Sequence, residues 1–173
     1  MDTASPMKAL LGIALENTDT RIRDNKPVTP AFIFAVLLWF PMQKRAEELQ
    51  QSGLDPLPAL EKAMSVTLSE QCKTISIPKR FSLVMREIWL LQYRFSKRQG
   101  NRAFHLLEHP RFRAAYDFLA IRALAGDESM ELAQWWTTFR AVSPEERQTM
   151  INELNPAPAK KRRRRKKPNP PAQ

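Results

Sequence analysis

Six cations recur on one side of a single helical stretch: Lys79, Arg80, Arg86, Arg94, Lys97 and Arg98. At about 100° per residue they fall within roughly a third of a helical wheel. Positive groups in such a row bind anions. Leu83, Leu90 and Tyr93 border or interrupt the row, and an aromatic ring beside guanidinium groups suits a base or ribose as well as a phosphate. A solvated helix face is the usual meaning of isolated charges, but the local balance argues against it here. From Pro78 to Leu124 there are ten Lys or Arg (79, 80, 86, 94, 97, 98, 102, 111, 113 and 122) and three acids (Glu87, Glu108 and Asp117), a net charge of +7. A face stabilised by its own salt bridges alternates in sign. This one does not, and it calls for an anionic partner. Nucleic acid is the reading favoured on charge.

Other chemistries find little support. The chain has no G-x-G-x-x-G, no P-loop, no C-x-x-C pair and no H-E-x-x-H. His105 and His109 are four apart, but Glu108 is the only nearby acid and His109 precedes Pro110, so a turn or capping role is expected rather than a metal site. No pair of aspartates stands on a strand in the way that two-metal phosphoryl transfer requires. The single cysteine, Cys72, excludes an intrachain disulfide and points to a reducing compartment. Its apolar helical setting predicts a buried, inert thiol. No catalytic residue and no metal ligand is assigned. Taken alone, the chain binds and does not visibly catalyse.

The elements that position the cations are helices. Glycine is scarce, at four in 173 residues, and β-branched runs are nearly absent, which predicts an all-α chain. The central helix buries Phe81, Val84, Met85, Ile88, Leu91 and Phe95 on the side opposite the cations. Met7 to Leu15 predicts a short amphipathic helix, and Asn17 to Pro27 a loop with one helical turn. Thr29-Pro30 starts a helix. Ala31 to Phe40 (AFIFAVLLWF) is apolar all round and is expected at the centre of a bundle, ended or kinked by Pro41. A second helix runs to Gln51, with Gly53 as its stop. Leu57, Leu60, Met64, Leu68, Cys72 and Ile75 mark the buried side of the next.

Arg98-Gln99-Gly100-Asn101 ends the central helix. A short helix at Ala103–Glu108 follows, then one marked by Phe112, Ala115, Tyr116, Leu119 and Ala123. Asp127 is expected to cap another, whose Leu132, Trp135, Trp136 and Phe139 point inward. Ser143-Pro144-Glu145-Glu146 reads as a capping box that opens the last. The expectation is a compact bundle of about seven to nine helices. The longest apolar run is too short to cross a bilayer and no signal-peptide pattern opens the chain, so the expected location is the cytoplasm.

The net charge of +10 is segregated. The body outside the central segment is acidic, while Asn155–Gln173 holds eight consecutive cations, Lys160, Lys161, Arg162, Arg163, Arg164, Arg165, Lys166 and Lys167, between proline-rich flanks. Such a tail cannot bury a core and is expected to be disordered. It reads as a phosphate-binding arm, a nuclear-import-like patch, or a ligand for an acidic protein or anionic membrane. Beside a basic folded face the nucleic-acid arm is the best of these.

Four blocks, in order, carry a resemblance: PVTPAFIFAVLLWFP, IPKRFSLVMREIWLLQYRFSKRQGNRAFHLLEHPRFRAAYDFLAIRA, WWTTFRAVSPEERQTMINEL, and the arginine- and lysine-rich tail. Together they resemble the C-terminal portion of bacterial poly(A) polymerases, in the superfamily shared with tRNA CCA-adding nucleotidyltransferases. The resemblance runs from about Asn25 to Leu154, and the tail matches in composition only. It implies an all-helical body that holds RNA while an N-terminal head adds AMP from ATP, with two magnesium ions, to its 3′ end. No residue matches the head, so the chain is expected to be inactive alone: a fragment, a split product or a truncated gene. The implied division is 1–24 as a neck remnant, 25–154 as the RNA-binding body, and 155–173 as the tail. The implied RNA contacts are Lys79, Arg80, Arg86, Arg94, Lys97, Arg98, Arg102, Arg111 and Arg113. The implied partners are single-stranded RNA 3′ ends, with a separate catalytic head or RNA-decay proteins. A helical scaffold that docks an acidic protein is the competing reading.

Overall fold

A computed structural model describes residues 5–154. Among these there are nine helices and no strand: α1 (Pro6–Arg23), α2 (Pro30–Leu37), α3 (Trp39–Gln51), α4 (Pro56–Thr74), α5 (Lys79–Phe95), α6 (Arg102–Leu107), α7 (Phe112–Leu124), α8 (Met130–Ala141) and α9 (Pro144–Leu154). The all-α expectation holds. The basic tail lies outside the described residues.

Two apolar cores share α5 and α7 as a spine. One gathers Leu10 and Ala14 of α1, Val36 of α2, Met42 of α3 and Met64 of α4 around Met85, Ile88 and Trp89 of α5 and Phe118 of α7. The other gathers Leu106 of α6, Trp136 and Phe139 of α8 and Ile151 of α9 around Leu91 and Phe95 of α5 and Leu119 of α7. The expected core stripe of α5 is therefore right at Met85, Ile88, Leu91 and Phe95, with Phe81 and Val84 only partly buried. Trp89 and Gln92 are buried as well. The Trp89 indole N–H donates to the carbonyl of Ala35 at 3.0 Å, which pins α5 to α2 and satisfies a donor that burial would otherwise strand.

Several local expectations are corrected. Residues 17–23 are not a loop, since α1 continues through Arg23 and stops at Asn25, whose φ is 53°. The apolar stretch 31–40 is not one buried helix. Pro41 has no N–H to bond Leu37 and is tolerated only in a first turn, so the chain breaks at Leu38 and α3 restarts at Trp39 with Pro41 in its first turn. Only Ala31, Ala35 and Val36 of α2 are buried, and Leu37 is exposed. The last turns of α4 run past the core, leaving Cys72 and Ile75 exposed; Leu57 at its start is exposed too. Trp135 is only partly buried.

Asp127 does not cap α8. Ser129 does, its Oγ accepting the Leu132 N–H at 3.1 Å. Asp127 instead accepts from Arg122 Nε at 2.7 Å and from the Trp39 indole N–H at 2.9 Å. Gly126, at φ 78°, makes the left-handed turn that brings Asp127 back over α7. The capping box at the start of α9 is formed as expected: Ser143 N–H donates to Glu146 Oε2 at 3.0 Å, and Glu146 N–H to Ser143 Oγ at 3.3 Å.

Candidate nucleic-acid interface

The outward side of α5 carries Leu83, Arg86, Leu90, Tyr93 and Arg94, all fully or partly exposed. Arg86 Nη2 donates to Ser65 Oγ of α4 at 3.0 Å. Lys97, just past the helix, stands 4.0 Å above the Tyr93 ring and donates to its hydroxyl at 2.6 Å. Arg94 is exposed. At the helix start Lys79 and Arg80 are exposed, with the Arg80 guanidinium 4.8 Å from the Phe81 ring centre.

Other expected contacts lie beyond α5. Arg102 is the first residue of α6, Arg111 is the N-cap of α7, and Arg113 lies in the first turn of α7. Helices α5, α6 and α7 have no acid in their first turns. Five of the nine folded cations thus stand at helix starts, where the backbone already presents positive partial charge. That placement costs helix stability and raises the potential that an anion meets.

The charge count overstated the unpaired row. Arg98 reaches Glu131 of α8 at 3.0 Å and lies 5.1 Å from the Trp135 ring centre. Arg111 pairs with Glu87 of α5 at 2.8 Å, and Arg113 with Asp117 at 3.1 Å. Arg122 is buried against Asp127 and Glu128 and is part of the fold. Among the described residues, Lys79, Arg80, Arg86, Arg94, Lys97 and Arg102 have no carboxylate within 4.0 Å.

Arg111 and Arg113 do not extend the α5 row. They line a cleft of about 560 Å³ between α1, α2 and α7, with Arg21 and Lys26 on its far wall. Sequence reasoning missed those two residues. They fall in the stretch read as a loop, and only the tertiary packing of α1 on α7 brings them to this site. His109 has the turn role expected of it, its Nδ1 accepting the Arg111 N–H at 3.0 Å. Among the described residues no three His, Cys, Asp or Glu side chains gather into a group that could hold a metal ion. No helix among them is long and apolar enough to cross a membrane.

Residues 52–169 match the family model described as the polymerase A arginine-rich C-terminus. The chain belongs to that family. It is 46% identical over 163 residues to Poly(A) polymerase I of Salmonella typhi, which covers 92% of this chain and 35% of the relative. It is 45% identical over 165 residues to Poly(A) polymerase I of Escherichia coli O157:H7, covering 94% and 36%. With Poly(A) polymerase I of Haemophilus influenzae the identity is 39% over 161 residues, covering 89% and 36%. The chain thus spans about a third of the length of the curated relatives that it matches.

Proposed function

We propose that this chain is the RNA-holding part of a bacterial poly(A) polymerase and grips single-stranded 3′ ends for adenylation in mRNA processing and decay. The observation that carries the reading is the set Lys79, Arg80, Arg86, Arg94, Lys97 and Arg102, presented around α5 without carboxylate partners among the described residues. ATP, magnesium and the chemical step belong to a nucleotidyltransferase head, with which these residues would work in the cytoplasm, alone or beside RNA-decay proteins. The basic tail, from Lys160 to Lys167, adds phosphate contacts of low sequence preference.

The test is binding of fluorescent single-stranded RNA across a salt series, with and without Asn155–Gln173. Each phosphate neutralised on a single strand contributes a log–log slope of about −0.7. A steep slope that survives removal of the tail supports the folded surface as the site. Binding that vanishes with the tail leaves a scaffold that docks an acidic protein. Leu83, 55% exposed within the cationic row, is the feature that favours that second reading.

A further inference from the structure

The cleft between α1, α2 and α7 has a character that a row of phosphate contacts does not explain. Its volume of about 560 Å³ lies inside the range of roughly 300–1,000 Å³ typical of small-molecule pockets. Its floor is apolar, built from Phe32 and Ile33 of α2, Val84 and Ile88 of α5, and Ile121 and Leu124 of α7. Leu124 is 63% exposed, so the apolar surface runs out to the mouth.

The walls are charged. Arg21 and Lys26 stand on one side, Arg111 and Arg113 on the other, and Asp24 and Asp117 also line the cleft. Four cations against two acids leave the lining at +2. The cations are already held in place: Arg21 donates to the carbonyl of Pro27 at 2.9 and 3.1 Å, Lys26 pairs with Asp24 at 2.8 Å, and Arg113 pairs with Asp117. Asn17 adds an amide, a donor and an acceptor side by side, which suits the edge of a base.

An apolar floor gives nothing to a bare phosphate, and cationic walls give nothing to a plain hydrocarbon. A nucleotide unit uses both. We propose that the cleft seats one nucleotide of a bound RNA strand, its base against the floor and its phosphate between the walls. The site rests on the RNA-binding reading above and adds to it a place for a base. Arg111, in the lining of the cleft, is tied to α5 through Glu87.

The experiment compares a fluorescent decaadenylate with an abasic strand of the same length, both binding to the whole chain. The unaltered chain is expected to prefer the strand with bases by about fivefold or more, the effect of one well-seated base. Ala114→Phe, which puts bulk into the cleft, and Leu124→Ser, a change at its exposed mouth, are each expected to bring that ratio towards one. Thermal unfolding checks the fold, and Leu124→Ser decides if Ala114→Phe does not fold. A ratio unmoved in a folded variant overturns the site. Equal affinity of the unaltered chain for both strands overturns the site and leaves phosphate binding standing. No binding of either strand overturns the RNA-binding reading, and the cleft with it.

Discussion

Arg122 and Asp127 form a buried pair, Nε to Oδ2 at 2.7 Å, with side chains only 5% and 10% exposed. The guanidinium also donates from Nη1 to Gln92 Oε1 at 3.2 Å and lies 4.4 Å from the Trp39 ring centre. The pair thus joins α3, α5 and α7 at the boundary between the two cores. Removing one partner strands the other's charge in a place where water does not reach it, which costs more than the pair contributes in place. Asp127→Ala is expected to lower unfolding free energy by about 3 kcal/mol. That is the low end for such a loss, because Glu128 remains 3.4 Å from Arg122. Urea unfolding measures it, and a loss below about 1 kcal/mol contradicts a structural role for the pair.

This pair also marks where sequence reading stops. Helix existence was legible because apolar residues recur at three or four and because Thr29-Pro30 and Ser143-Pro144 announce starts. Partner choice was not. Arg122 counted among ten basic residues as a surface charge, and Asp127 as a cap, because the contacts that claim them come from Trp39 and Gln92, far off in sequence. The site shows the same division. The outward cations of α5 were legible from one helix, whereas the partner of Arg98 and the cleft shared by Arg21 and Arg113 depend on how helices pack. Cys72 is a local case: it keeps the apolar spacing of α4 but lies on turns that extend past the core. It is expected to react stoichiometrically with a thiol reagent in the native protein, and labelling only after unfolding would refute its exposure.

Charge reversal at Arg94 and Lys97 separates binding from folding. Arg94 is exposed, and the Lys97 ammonium stands over the Tyr93 ring and donates to its hydroxyl. The double variant Arg94→Glu/Lys97→Glu is expected to lose at least about tenfold in affinity for single-stranded RNA and to reduce the salt slope by about 1.4, roughly 0.7 for each of the two lost phosphate contacts. Its melting temperature should stay within about 2 °C of the parent, since exposed substitutions away from packed contacts change stability little. Arg98→Glu behaves differently because it sets a second carboxylate against Glu131. It should lower stability by about 1 kcal/mol, so an RNA defect in that variant cannot be assigned to contact alone.

Trp136 holds the end of α5. Its indole N–H donates to the carbonyl of Phe95 at 3.0 Å, and its ring packs edge-on against Phe95 at 5.1 Å between centres. That carbonyl belongs to the last turn of the helix, where no intrahelical donor remains. Trp136→Phe keeps an aromatic ring and removes the donor. It is expected to cost about 2–3 kcal/mol from the unpaired carbonyl and the lost volume together. It should also speed amide exchange at Ser96 to Gly100, the turn that carries Lys97 and Arg98. Lost stability without faster exchange in that turn would place the effect in the core alone.

Two exposed carboxylates give the fold a defined acid response. The Glu70 carboxyl is held below its ordinary 4.5 chiefly by the hydrogen bond from Arg45, which outweighs an opposing cost of burial, with the charges of Arg45 and Lys73 adding to the lowering. Glu145 is lowered as well, first by a hydrogen bond from its own backbone N–H and then by the Ser143 side chain. For a depressed carboxyl the unfolded chain binds more protons than the folded one as pH falls. Its contribution is therefore complete above the unfolded value near 4.5 and disappears as pH drops through the lower folded value. Both groups lie at the surface, so the effect is modest and weakens with salt. In low salt, the urea midpoint of the parent is expected to fall more steeply between pH 4.5 and 3 than that of Glu70→Gln/Glu145→Gln, with the difference between the two proteins constant from pH 7 to 5. Parallel profiles down to pH 3 would show that neither the Arg45–Glu70 pair nor the start of α9 contributes to the acid limb.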